Sequence, residues 1–168
     1  MESENKIYRE LKKRLTTDTY NHGQKLRAEV LREEFACSAS TVREILFRLA
    51  SEGLVHFQDQ RGFRMPELSP TKLIELTHMR ILLESEGAVL SIRQGGVGWE
   101  ASLTAAHHKL SHLEKRIHAR EDPTELVDLW FNSEKEFHQT LISACGSATL
   151  KHMHSLIYAQ FRQQLMKA

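Results

Sequence analysis

Glu134 and His138 stand four residues apart in the stretch SEKEFHQTL, which has helical periodicity. One helical turn separates such a pair, so a carboxylate and an imidazole share a face and both can reach one ion. On the same wheel Leu126, Trp130, Phe137 and Leu141 form an apolar stripe, and Glu134 points into it. A carboxylate there is costly unless it is paired or bound to a metal. Arg80 and Glu84, also one turn apart, supply a partner from an earlier helix. Two readings follow: a metal and effector site, or an internal Arg80–Glu134 salt bridge with no ligand.

The chain has ten histidines, and most carry no such case. His108 and His112 face away from the Leu103/Leu110/Ile117 stripe and read as solvated. His22 and His56 fall in a turn and a strand, where either could touch phosphate. His152 looks outward. His154 lies in the apolar stripe of its helix, as a core histidine or a pocket wall.

A second chemistry lies upstream, where Ser38, Ala39, Ser40, Thr41 and Arg43 open a helix. Ser38 is a good N-cap, since its hydroxyl can accept from an orphaned first-turn amide. Val42, Ile45, Leu46, Leu49 and Ala50 make the inward stripe, so Ala39, Ser40, Thr41 and Arg43 look outward. Arg43 is the one of these that can make a bidentate contact to guanine; the hydroxyls suit phosphates or less selective base contacts. Gly53 supplies a left-handed helix stop, and Leu54, Val55 and Phe57 begin a strand. A turn over Asp59–Gln60–Arg61–Gly62 returns through Phe63, Arg64 and Met65. Leu26 to Phe35 gives the preceding short helix, so the spacing predicts a winged helix-turn-helix. Lys12, Lys13, Arg14, Lys25, Arg43, Arg61 and Arg64 are its candidate phosphate contacts.

The remaining elements position these groups. Ile7, Leu11 and Leu15 make the buried side of a first helix, and Asn21–His22–Gly23 is a turn. Pro66 and Pro70 bracket a linker, with Ser69 capping a helix that has proline at its first position. Four helices then follow: Thr71 to about Arg93, ended by Gly95–Gly96; Trp99 to before Pro123; Thr124 to Cys145; and one capped by Ser147. The predicted class is therefore mainly α, with a winged helix-turn-helix over residues 1–66, a linker over 67–70 and an antiparallel helical bundle over 71–168.

Composition excludes several classes. An apolar content of 40% supports a packed core, and the net charge of +1 argues against a wholesale polyanion binder. Residues 1–66 carry a net +2 and residues 67–168 a net −1, a mild bias that suits DNA at the front. No apolar run approaches the ~20 residues of a membrane span, and no signal-peptide pattern opens the chain. Cys37 and Cys145 lack metal spacing and read as reduced core residues of a cytoplasmic protein.

Residues Ile7 to Met65 resemble the DNA-binding domain of the GntR family of bacterial transcription regulators. IYRELKKRL, Gly23–Gln24–Lys25–Leu26, LREEF, TVREILFRLASEGLV and RGFRM carry the likeness. The family usually has arginine at Ala39 and proline at Thr41, so its usual operator is in doubt. From about Leu73 onward the chain is similar to the opening helices of the FCD ligand-sensing domain of the FadR-like branch. Arg80–Ile–Leu–Leu–Glu84, Glu134–Lys–Glu–Phe–His138 and Ala144–Cys–Gly–Ser147 carry this second likeness.

That resemblance implies a metal (zinc, nickel or manganese) on Glu134 and His138, completed by two histidines of later helices. It also implies a small organic acid effector near Arg80 and Glu84. Those later helices have no counterpart here, so the chain is expected to be either a fragment of a longer one or a natural truncation. It further implies a homodimer on double-stranded DNA, with Lys12, Lys25, Ser38 to Thr41, Arg43, Arg61, Gly62 and Arg64 at the interface. A small metal-dependent enzyme using Glu134 and His138, and a helical protein adaptor, are the alternatives; neither accounts for the wing.

Overall fold

The computed structural model describes residues 2–119 and 124–166. Ten elements follow in order: α1 (Glu2–Leu15), β1 (Lys25–Leu26), α2 (Ala28–Glu34), α3 (Ala39–Ser51), β2 (His56–Gln58), β3 (Gly62–Arg64), α4 (Pro70–Gln94), α5 (Val97–His118), α6 (Thr124–Leu141) and α7 (Ala148–Leu165). The mainly helical class with a winged front holds. As expected, α5 stops before Pro123, ending at His118 with Ala119 as its C-cap. No helix among the described residues is long and apolar enough to cross a membrane.

The chain forms two compact units. One comprises Met1–Met79 with Ser155–Ala168, the other Arg80–His154. These bounds differ from a division at the 67–70 linker: the start of α4 and the later part of α7 fall in the first unit.

The winged unit is built as its local residues dictate. Ser38 accepts a hydrogen bond from the Thr41 amide at 3.1 Å and caps α3, a contribution of about 1 kcal/mol. At the other end Gly53 has φ +74°. Its amide bonds the Ala50 carbonyl and the Leu54 amide bonds that of Leu49, each at 3.0 Å. This closes the helix and turns the chain into the wing. Ile45, Leu46 and Leu49 are buried beside Leu11 and Leu15 of α1 and Phe63 and Met65 of the wing. Burying each such leucine is worth about 2 kcal/mol relative to exposure.

The wing has three strands rather than the expected two. β3 is central and pairs antiparallel with β1 and β2. Lys25 and Leu26, expected at the helix-entry segment, instead pair with Arg64 and Phe63. The pleat therefore sends Leu26 and Phe63 into the core and places Lys25, Arg64 and His56 across from one another on the opposite face.

In the second unit α5 and α6 pack along their lengths, burying Ala106, Leu110 and Leu113 against the side that carries Leu126. The Trp99 indole donates to the Thr140 carbonyl at 2.9 Å, tying the start of α5 to the end of α6. Gly87 of α4 lies against Ile142, whose side chain a β-carbon at position 87 would meet at 2.6 Å. Such a close approach lets α4 reach the α6–α7 turn.

Candidate functional site

The start of α3 and the wing enclose one groove. Lys25, Arg43, Arg61 and Gly62 line it, together with Arg27 at the entry to α2 and the carboxylates Glu29 and Asp59. Arg27 is not among the expected contacts; it falls within the segment expected as the short helix Leu26 to Phe35 and is the N-cap of α2. Ala39 and Ser40 are exposed and Thr41 is half-buried. The hydroxyl of Ser38 lies 2.8 Å from those of both Ser40 and Thr41, so the three are knit into one cap. Arg43 is the exposed cation of that end of the helix.

Two expected contacts are placed otherwise. Lys12 pairs with Glu52 at 2.6 Å and donates to the Tyr8 hydroxyl at 3.1 Å. Burial lowers its affinity for a proton, but the bonds to Glu52 and Tyr8 outweigh that and raise its pKa. Its charge is thus spent inside the unit, joining α1 to the C-cap of α3. Lys12→Ala is expected to cost about 1 kcal/mol of stability with little change in DNA affinity. Urea unfolding and a mobility-shift titration together test this, and a tenfold loss of affinity with unchanged stability would return Lys12 to the phosphates. Arg64 donates from Nη1 to the Gly23 carbonyl at 3.1 Å and is half-buried, which fixes the β1–β3 edge.

Phe47 and Phe57 were missed. Both are partly exposed, yet their ring centroids lie 4.8 Å apart, and each is within 5.0 Å of buried Phe63. Edge-on packing of this kind braces the recognition helix against the wing. Phe47 follows Arg43 by one turn, and that spacing on the outward face was the available signal.

The second site lies in the Arg80–His154 unit. Arg80 Nε donates to Glu84 Oε1 at 2.7 Å, and its Nη2 to Glu134 Oε1 at 2.5 Å. The His154 Nε2 lies 2.9 Å from Glu84 Oε1. His138 stands between the carboxylates. Its Nε2 is 3.2 Å from Glu134 Oε1, and its Nδ1 is 2.9 Å from Glu84 Oε2 as a charge contact off the hydrogen-bond axis. The expected pairing of Arg80, Glu84, Glu134 and His138 is therefore present, and buried His154 joins it through the stripe position that the sequence left ambiguous.

Electrostatics follow from this geometry. Burial would raise the Glu84 pKa, but bonds to His138, His154 and Arg80 outweigh it and hold the carboxyl well below the usual range. Burial likewise opposes protonation of His138, and contacts with Glu134 and Glu84 overcome it, so its pKa is raised. The shift of Glu84 stabilises the fold above its ordinary value of 4.5 and is lost as pH falls toward the folded pKa. That of His138 is fully present below 6.5 and is lost as pH rises through its raised value. The unit should thus be most stable between these ordinary values and weaken above neutrality. Thermal unfolding across pH tests this, and a flat profile from pH 6 to 9 that His138→Gln leaves unaltered would refute it.

The donors do not fit the metal that the resemblance implied. Among the described residues no group of three or more His, Cys, Asp or Glu side chains could hold a metal ion. Of the expected ligands, Glu134 is bonded through Oε1 to the guanidinium of Arg80.

The family model described as bacterial regulatory proteins, gntR family, matches residues 3–65, and the FCD domain model matches residues 75–168. The chain belongs to the GntR family. The HTH-type transcriptional regulator BphR of Paraburkholderia xenovorans is 36% identical over 84% of this chain. The HTH-type transcriptional repressor GlaR of Escherichia coli is 30% identical over 90% of it. The chain spans 57% of the length of BphR and 67% of that of GlaR. The solved structure of E. coli McbR/YncC shares the fold, with a TM-score of 0.76 at 19% identity, covering 98% of this chain and 74% of that one. These GntR relatives are transcription regulators, not enzymes, and an enzymatic role for Glu134 and His138 finds no support.

Proposed function

We propose that this chain acts as a bacterial transcription regulator, a repressor that binds a near-palindromic operator as a homodimer in the cytoplasm and senses a small effector through its helical half. The observation that carries the reading is the groove in which Arg43 of the recognition helix faces Arg61 of the wing, with Lys25 alongside. Arg43 suits a base edge in the major groove, and Lys25 and Arg61 suit the flanking phosphates. The name of GlaR supports the sense of regulation.

A near-palindrome needs two winged units. In support of a dimer, α4 leaves Ile81, Leu82, Val89 and Ile92 exposed along one side. The effector is read as a small organic acid, in keeping with the match of this half of the chain to the FCD domain. No divalent ion is assigned to it. A mobility-shift series over salt, run beside sedimentation, tests the reading. Binding should weaken steeply with salt, and the complex should hold two chains. Absence of binding to any duplex at low salt would sink it.

A further inference from the structure

The outward side of α3 is chemically sparse. Val42, Ile45, Leu46 and Leu49 are buried, which leaves Ala39, Ser40, Arg43 and Phe47 exposed and Thr41 half-buried. Arg43 lines the groove that it shares with Lys25 and Arg61, and the family match of residues 3–65 makes duplex DNA the partner of this unit. Ala39 stands one turn before Arg43 on the same face. Phe47, one turn beyond, is turned onto Phe57 and Phe63, with ring centroids 4.8 and 4.9 Å away.

The polar atoms beside Ala39 are already engaged. The Ser38 hydroxyl accepts from the Thr41 amide at 3.1 Å and lies 2.8 Å from the hydroxyls of both Ser40 and Thr41. These bonds hold the first turn of the helix together. At position 39 that turn presents a single methyl group. Ala39 is exposed and stands outside the core, so the methyl is free for a partner from outside the chain.

A base edge that faces this methyl is selected by its chemistry. In the major groove guanine, adenine and cytosine present only hydrogen-bonding groups, whereas thymine adds a 5-methyl. A donor or acceptor pressed against Ala39 loses its water and gains no partner. A methyl against a methyl instead removes apolar surface from water. Thymine is the base that suits position 39.

Arg43 fixes where that base lies. β-Carbons one helical turn apart are about 5–6 Å apart, and successive base pairs are about 3.4 Å apart. The base opposite Ala39 therefore falls within about two base pairs of the guanine suited to Arg43.

We propose that Ala39 is a specificity-determining residue, which reads the 5-methyl of a thymine in each half-site within about two base pairs of the Arg43 guanine. This rests on the DNA-binding reading above and adds a second base to it. Arg43 supplies a polar contact and Ala39 an apolar one, so the two together select a short step rather than one base.

The probe is a duplex selected from random sequence by the full chain. Each of its thymines is replaced in turn by deoxyuridine, which keeps every hydrogen-bonding group and removes only the methyl. In competition titrations one such replacement in a half-site should weaken wild-type binding about fourfold, the worth of one buried methyl. Ala39→Gly removes the opposing methyl. It should bind the all-thymine duplex about fourfold more weakly and be indifferent to uracil at that position. Circular dichroism checks that the variant is folded. Should glycine loosen the first turn, Ala39→Ser restores a side chain there and sets a hydroxyl against the thymine, with the same indifference expected.

Three results would overturn the proposal. They are a duplex with no sensitive thymine, a sensitivity that persists in the position 39 variants, or a sensitive thymine remote from the guanine that Arg43→Ala ceases to discriminate. If wild type binds no duplex even at low salt, the DNA-binding reading falls and takes this inference with it. Tight binding without methyl sensitivity refutes the role of Ala39 alone.

Discussion

Glu84→Ala should destabilise the Arg80–His154 unit by about 3 kcal/mol, the lower end for breaking a buried ion pair. Glu84 is the hub of the cluster, meeting Arg80, His138 and His154 within 2.9 Å. Its side chain is 14% exposed and that of Arg80 11%, so water replaces little of the lost interaction. With the residue gone, Arg80 and protonated His138 share Glu134, and two positive charges face one carboxylate. The burden should appear as a lowered pKa of His138 as well as lowered stability. Both tryptophans, Trp99 and Trp130, lie in this unit, so urea unfolding followed by their fluorescence reports it selectively. A loss below about 0.5 kcal/mol, the scale of an exposed pair, would show that the cluster is open to solvent. Glu84→Gln keeps an acceptor for Arg80 and should fall between wild type and alanine.

Arg43→Ala should lower affinity for a specific operator by ~1–3 kcal/mol, the worth of one bidentate contact to guanine. Its neighbours cannot compensate, because Ser38, Ser40 and Thr41 bond one another and Ala39 offers no polar group. Lys25→Ala makes the contrast. A phosphate contact weakens specific and random duplexes alike and reduces the slope of log affinity against log salt by about 1. Competition titrations on both duplexes at several salt concentrations separate the two. Equal losses on both for Arg43→Ala would make it a phosphate contact, and no loss on either would remove α3 from the interface.

Much of the fold is legible because its signals are local. Ser38 caps α3 from within its own first turn, Gly53 closes the same helix with a positive φ, and the apolar periods of α1, α3 and α6 select their buried faces. Glu134 and His138 share a face for the same reason, since four residues make one turn wherever the helix lies. By itself, then, the sequence determined the helices and the two strands after α3, the winged arrangement, the outward place of Arg43 and the carboxylate in the α6 stripe.

Which distant groups meet was decided only by the tertiary structure. Lys12 looked like any surface cation until α1 brought it to Glu52, 40 residues away. β1 is two residues long, and nothing in Lys25–Leu26 marks a strand without β3 beside it. Spacing left both readings of Glu134 open; the position of α4 places Arg80 on it across 54 residues. His154 and Gln163 likewise gain their partners 70 and 148 residues away. Caps and periodicity act within a turn or two, so they are written in consecutive residues. A buried charge or amide takes its meaning from whatever the packing brings within 3 Å, and that is a property of the folded chain alone.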